Sequence, residues 1–420
     1  MNDWAGIILA AGPGRRMCSQ TPKVLHPVAG RPLVGYVVAA ARGAGLGRLV
    51  MVVPADGQGL RRLFAGGVTF AVQDVPRGPA HALAQARESA TAPHLLVLQG
   101  DLPLLQPESL QRLMRRHAET GAVATLLASG GQPDAIAYCF EAAWLWPRLA
   151  QLGRLHGDEA TLVEALGLTL AGEGVAVVSV DDATEAIDVD DRVRLAEAEA
   201  IMRQRICRRL MLAGVTIIDP ATTYVDADVT IAADTVVLPN THIQGHTAVG
   251  VDCRIGPNTI VVDSTIGDRC RITASVVEGA VLEEDVDVGP FSHLRPGAHL
   301  CAGVHIGNYA EVKKSRLGRG TRMGHFSYVG DAQVGDNVNI GAGTITCNFD
   351  GERKNETVIE DGAFIGSDTM LVAPVRVGKG ARTGAGAVVT RDVPPESLVM
   401  GVPARAPGAE GSPKAEGIEP

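Results

Sequence analysis

One periodicity limits what this chain can fold into more than any other feature. Val225, Ile231, Val237, Ile243, Val249, Ile255 and Val261 fall six residues apart without a miss. The spacing returns at Val288, Leu294, Leu300, Ile306 and Val312, and again at Ile365, Leu371, Val377, Thr383 and Val389. Gly, Asp or Asn follows most of these positions. A six-residue repeat predicts a parallel β-helix, each coil made of three short strands, with each aliphatic stacking on its counterpart one coil away. Composition agrees: glycine is 50 of 420 residues and aromatics are only 4%, which suits short strands and tight turns and leaves few rings to fill a thick core. Five-residue steps, such as Val261 to Ile266 and Val329 to Val334, are expected to mark bends or loops. The polar stretch CNFDGERKNETV is expected to protrude as a functional loop.

The first half has a different rhythm. GIILAA, LVMVVP, TFAV, HLLVLQ, AVATLLA and VAVVSV are short apolar runs bounded by Gly, Pro or polar residues, and they read as buried strands. LVGYVVAAARGAG, GPAHALAQARESA and PESLQRLMRRHAET lie between them with helical spacing. This alternation predicts a Rossmann-like α/β domain with a mostly parallel sheet and ligands at the carboxyl ends of its strands. From Asp191 to Ala213, Leu195, Ala198, Met202, Ile206 and Leu210 recur at steps of three and four before Gly214, which predicts one long helix. The expected order is an α/β domain over 1–190, a linker helix over 191–214, a β-helix over 215–405 and a disordered tail over 406–420.

Lys and Arg number 38 against 47 Asp and Glu, a net charge of −9. Nucleic-acid affinity rests on neutralising phosphates, so such a chain is a poor general binder of DNA or RNA. Small anionic substrates need only a local cluster of cations. The seven cysteines form no CxxC pair, so neither a zinc site nor a disulfide framework is indicated, and reduced thiols in the cytoplasm are the simplest reading. No apolar run approaches the length of a membrane span, and MNDWAGIILAAG lacks the features of a secretion signal.

LAAGPGRRMCSQTPKVLH follows the first strand. Glycines in such a turn let backbone amides approach a phosphate chain, and Arg16 and Lys23 add positive charge. Asp101 in QGDLPL, just past the apolar run LLVLQ, is a carboxylate placed to hold Mg²⁺ against transferring phosphates. Together these strings resemble the signature of sugar-1-phosphate nucleotidylyltransferases. The KVLH ending resembles one branch, the bacterial bifunctional N-acetylglucosamine-1-phosphate uridylyltransferase/glucosamine-1-phosphate N-acetyltransferases, in which a left-handed β-helix follows the nucleotidyl domain. The resemblance implies that Leu9, Ala10, Ala11, Gly12, Arg16, Gly78, Gln99 and Gly100 meet the nucleotide. It also implies that Lys23 holds its phosphates, Gln73 reads uracil, and Asp101 and Asp190 hold Mg²⁺. Several positions depart from the family. Pro13 replaces a basic residue, Pro79 and Ala80 in RGPAHA replace threonine and glycine, and Asp190 replaces asparagine. Only GGQPD separates LLAS from AIAYCF, where the family carries a longer sugar-binding segment. These departures imply weak uridylyl transfer.

In the repeat region PFSHLRPGA, GNYAEVKKS, GHFSYVGDAQVGDNVNIGAGTITCNFDG and GSDTMLVAPVRVGKGA resemble the same family closely. The resemblance implies that His325 is the catalytic base of acetyl transfer, a role to which histidine as a residue type is suited. Arg295, Lys313 and Lys354 would bind the sugar phosphate, with Tyr328 and Asn339 on the sugar. Ala342, Asn348, Phe349, Ser367 and Ala385 would meet acetyl-CoA. Gly401 aligns with a cofactor-binding arginine of the family, so Arg405 in MGVPAR is expected to take that part. The implied protein is a homotrimer in which the Lys354 loop crosses to a neighbouring chain. It first acetylates glucosamine 1-phosphate from acetyl-CoA, then couples the product to UTP, yielding UDP-N-acetylglucosamine for peptidoglycan and lipopolysaccharide. On the sequence, an acetyltransferase whose first domain only binds nucleotide or scaffolds the assembly remains an open alternative.

Overall fold

A computed structural model describes residues 3–130, 135–152, 162–166 and 174–406. The tail from 407 on, and residues 131–134 of the GGQPD segment, lie outside them. Two compact units are present, Met1–Met202 and Arg203–Pro420.

The first unit is built on a seven-stranded sheet. Its spatial order is Thr69–Gln73, Leu49–Pro54, Trp4–Leu9, His94–Gln99, Ala135–Glu141, Ala124–Ala128 and Val175–Ser179. Pairings are parallel except those of Ala135–Glu141, which runs antiparallel to both neighbours. Alternation of side chains along a strand gives the sheet two apolar faces. Ile7, Val52 and Val97 pack under the Gly78–Gln85 helix, while Ile8, Met51 and Leu98 pack under helices Leu33–Gly43 and Pro107–Thr120. All six apolar runs are strands. Two corrections follow from their place in the sheet. Val175–Ser179 and Thr69–Gln73 are the edge strands and stay partly exposed, so these two are not buried. Ala135–Glu141, the seventh strand, is missing from the six, because AIAYCF follows so closely on the preceding run that it does not stand out as a separate element.

The long helix spans Arg192–Leu212, and the division between the units falls inside it. Its first half packs with the first unit, where Glu199 accepts a hydrogen bond from the Ala29 amide at 2.6 Å. Its second half packs with the second, where the Arg203 guanidinium lies 4.2 Å from the centre of the Tyr224 ring.

The second unit is a left-handed β-helix of three parallel sheets with 11, 10 and 9 strands. Ladder partners lie one coil apart: Val237 opposite Ile255, Ile243 opposite Val261, Val249 opposite Ile266. The repeated aliphatics are buried, Ile243, Ile255, Val261, Leu294 and Leu371 completely. Each such side chain removed from water contributes roughly 1.5–3 kcal/mol. Corners are turned by short polar residues in the left-handed region, such as Asp252 (φ 56°), Asn258 (φ 53°), Asn337 (φ 54°) and Asp368 (φ 55°). The five-residue steps do not interrupt the ladder. Thr265–Ile266 pairs with the coils on both sides, because Asp263 (φ 46°) turns the corner one residue early. Asp331 (φ 49°) does the same between Val329 and Val334.

Coil spacing is closest where glycines stack. A Cβ on Gly307 would stand 1.8 Å from the carbonyl oxygen of Gly324 on the next coil. That atom is backbone and cannot swing aside. Gly307→Ala should therefore destabilise the protein by about 1–3 kcal/mol, seen as a lower thermal midpoint of the purified protein, whereas Gly47→Ala, whose Cβ would meet nothing within 4 Å, serves as the comparison for added bulk. An unchanged midpoint in Gly307→Ala would contradict the stacking argument.

Candidate active sites

In the first unit, the strand ends place residues expected to meet the nucleotide side by side. Leu9 and Gln99 are ladder partners, and the Gly100 amide donates to the Leu9 carbonyl at 2.9 Å. A side chain at Gly100 would press on that same carbonyl at 2.9 Å, so the close approach of the two strand ends requires glycine. Beyond Ala10 the chain leaves the sheet. The amides of Ala11, Gly12, Gly14 and Arg15 have no hydrogen-bond partner among the described residues. Gly14 (φ 60°) caps the short 3₁₀ turn Arg15–Met17 and packs against the Lys23 Cβ. Free amides around such a turn form a cradle for an anion.

Lys23 is the hub of the site. Its ammonium bonds to Asp101 and lies 2.7 Å from Asp190 Oδ1, while Arg16 bonds the other Asp190 oxygen. Burial opposes the charge on Lys23, but Asp101 and Asp190 outweigh it and raise its pKa. Burial also opposes ionisation of Asp190, yet Lys23 first, then Asp188 and Arg16, hold its carboxyl below the ordinary range. Thus the extra charge of aspartate over asparagine at 190 is met by two cations. Asp188, absent from the sequence-derived set, joins the cluster. Burial, with Asp190 and Asp101 nearby, pushes its pKa up to about 6. The signal for it was present in IDVDD, where alternation in an extended segment puts residues 188 and 190 on one side.

The Asp101 carboxyl is buried, and its Oδ1 has no partner. Hard carboxylate oxygens gathered around a cation, one of them unsatisfied, suit Mg²⁺. The donor set of Asp101 and Asp190 therefore fits the metal.

Gln73 is buried at the end of its strand, and its amide nitrogen lies 2.8 Å from His81 Nδ1 and donates to the Gly78 carbonyl at 3.4 Å. Pro79 and Ala80 occupy the first turn of the Gly78–Gln85 helix, where proline's missing N–H costs nothing. The proline and alanine of RGPAHA are thus accommodated, and His81 emerges as the residue that orients Gln73.

In the second unit, one face of the β-helix gathers the cations. Lys313 touches Lys354, and that contact, with the charges of Lys354 and Arg295, lowers the Lys313 pKa. Three cations are thus crowded where a dianion would relieve them. Two acidic residues outside the sequence-derived set steady the group. Glu311 Oε1 lies 2.7 Å from Arg295, and Asp331 lies 3.9 Å from the Lys354 ammonium. Tyr328 is the ladder partner of Glu311. Asn348 donates to the Tyr328 hydroxyl at 3.3 Å and to Asp331 at 2.5 Å. The CNFDGERKNETV insertion closes on itself through a Phe349–Lys354 bridge, so Lys354 reaches Lys313 and Asp331 of its own chain. Asn339 is not brought onto this face. It lies on another sheet, between Arg322 and Phe364.

His325 is exposed at a corner of the β-helix, two residues before the Ser327–Gly330 strand. Successive coils repeat this corner as Gly324–His325, Gly341–Ala342, Gly366–Ser367 and Gly384–Ala385. A Cβ on Gly341 would meet the Ser367 amide at 2.6 Å, and one on Gly366 would meet the Ala385 amide at 2.9 Å. Small residues therefore run in a column from His325 toward the last coil, leaving a ledge for an extended ligand. Gly401 occupies the same corner beyond Ala385. Arg405 is exposed and pairs through its backbone with Met400 at 2.8 and 2.9 Å.

Comparison with known proteins agrees with both units. Residues 6–170 match the MobA-like NTP transferase domain, and residues 356–391 match the bacterial transferase hexapeptide (six repeats). The chain is 42% identical over 431 residues to "Bifunctional protein GlmU" of Carboxydothermus hydrogenoformans, covering 94% of this chain and 97% of that protein. The proteins of that name from Trichlorobacter lovleyi and Thermotoga petrophila are each 41% identical, over 437 and 428 residues, covering 94% of this chain and 95% of theirs.

Proposed function

Because the chain belongs to the family of bifunctional GlmU proteins, we propose a division of labour between its two units. The enzyme transfers acetyl from acetyl-CoA to glucosamine 1-phosphate, then transfers uridylyl from UTP to the N-acetylglucosamine 1-phosphate so formed. UDP-N-acetylglucosamine and pyrophosphate are the products, and the nucleotide sugar feeds cell-wall synthesis. The gathering of Arg295, Lys313 and Lys354 on the β-helix is the observation that carries the assignment of acetyl transfer to the second unit. In an acidic protein three adjacent cations are costly without an anion to bind.

In acetyl transfer, the cation group anchors the sugar phosphate, with Tyr328 on the sugar ring; Asn339, on another sheet, has no part in this arrangement. His325 takes a proton from the amino group as its nitrogen attacks the thioester carbonyl. The carbon–sulfur bond then breaks and coenzyme A leaves as the thiol. Ala342, Ser367 and Ala385 line the ledge for the cofactor, with Asn348 and Phe349 beside it and Arg405 beyond. In uridylyl transfer, the free amides of the glycine turn, Arg16 and Lys23 hold the triphosphate, with Gly78, Gln99 and Gly100 against the nucleotide. Gln73, held by His81, reads uracil. A phosphate oxygen of the sugar attacks the α-phosphorus and pyrophosphate leaves. Asp101 and Asp190 would hold Mg²⁺, which when bound offsets charge on the reacting phosphates. Asp188 steadies Asp190.

Separate assays of the two half-reactions on the purified protein test this reading. Acetylation of glucosamine 1-phosphate without pyrophosphate release from UTP and N-acetylglucosamine 1-phosphate would leave an acetyltransferase with a nucleotide-binding first unit. Lys313→Ala should raise the KM for glucosamine 1-phosphate by tenfold or more, since charge-assisted hydrogen bonds contribute roughly 1.5–3 kcal/mol. An unchanged KM would remove Lys313 from the phosphate site. We place the enzyme in the cytoplasm, where its nucleotide and coenzyme A substrates are made. We assign it a threefold assembly, in keeping with the flat faces of a triangular β-helix. Light scattering that gives a fully active monomer would refute that assembly.

A further inference from the structure

A second metal centre is implied at the opposite edge of the first unit's sheet. His94 opens its strand, beside Trp4 at the start of the neighbouring one. Glu141 ends the antiparallel strand as the ladder partner of His94. His117 reaches them from the last turn of the Pro107–Thr120 helix. One ligand atom from each of the three side chains lies within 4.8 Å of the other two. These are the amino-terminal ends of the parallel strands, whereas the Lys23–Asp101 site is built at the carboxyl ends.

The chemistry of the group asks for a cation. Glu141 Oε1 lies 3.0 Å from His94 Nδ1 and 3.5 Å from His117 Nε2. Neither nitrogen is aligned for a hydrogen bond, and both are buried without a partner. His117 is completely buried, and its other nitrogen is engaged by the Thr125 hydroxyl at 2.9 Å. A ring held through Nδ1 in this way presents Nε2 as a metal ligand. Two imidazoles and a carboxylate are the donor set of three-ligand zinc sites, with bonds of about 2.0–2.2 Å. Tetrahedral ligands at such bond lengths stand about 3.4 Å apart, and the observed 3.0 and 3.5 Å bracket that value. Imidazole donors favour zinc over Mg²⁺.

We propose that His94, His117 and Glu141 bind one zinc ion per chain. The fourth position is open to water, because His94 and Glu141 are each about one-third exposed on their side chains, 28% and 32%. The ion would pin the start of one parallel strand, the end of the antiparallel strand and the end of a helix, so its effect is on stability rather than on either transfer reaction.

The test uses the full-length protein loaded with zinc and desalted. One retained equivalent is expected in the wild type. His94→Ala and Glu141→Gln should each weaken its retention by at least about 100-fold, since loss of even an outer-shell partner costs 10–100-fold. X-ray absorption of the loaded wild type should show a shell of nitrogen and oxygen only, including imidazole. This reading needs no variant and holds if a variant fails to fold. Sulfur in the shell would instead assign the metal to the Glu283, His299 and Cys301 group of the β-helix and overturn the proposal. So would absence of a retained equivalent, or full retention in both folded variants.

Discussion

His325→Ala should lower acetyl transfer by about 100-fold or more, while pyrophosphate release in the uridylyl reaction is unchanged. Loss of a general base costs roughly 10²–10⁴ in rate. His325 is exposed at its corner, so its removal opens no core cavity and the fold should persist. The coupled assay is the appropriate readout, with free coenzyme A thiol for the first reaction and pyrophosphate for the second. Full acetylation by the variant would end the assignment of His325 as base. Parallel loss of both activities would point instead to a general folding defect.

Asp101→Asn should lower Mg²⁺-dependent pyrophosphate release by about 100-fold or more and leave acetyl transfer intact. The substitution preserves shape and removes one charge. Asp101 is buried, bonded through one oxygen to Lys23 and unsatisfied at the other. Metal stabilisation of charge at reacting phosphates amounts to several kcal/mol, and each 1.36 kcal/mol is tenfold in rate. The variant also frees Lys23 from one of its two carboxylate partners, so added Mg²⁺ cannot restore the original balance of charge. Release of pyrophosphate at the wild-type rate, or release in the wild type that a chelator does not suppress, would remove Asp101 from the metal site.

The repeat was legible in the sequence because a β-helix is nearly one-dimensional. Each aliphatic at a six-residue step meets only its counterpart one coil away, so spacing alone locates Val237, Ile255 and Ile306 in the core. The apolar runs of the first unit were legible for a similar reason, since continuous burial leaves a continuous apolar string. Sequence also determined which residues carry charge at the glycine turn and the corner that holds His325. Tertiary structure decided the rest, because charge balance depends on neighbours distant along the chain. Lys23 and Asp190 are 167 residues apart, and the contact of Asp188 with Asp190 brings it to the same site. Glu311 and Asp331 joined the cations through ladder register, which a single strand does not reveal. Whether a five-residue step breaks a ladder was decided by the backbone angle of Asp263. The His94, His117 and Glu141 group is the extreme case. Its members lie on two strands and a helix with no motif to link them, and only packing brings an unpartnered histidine nitrogen against a carboxylate.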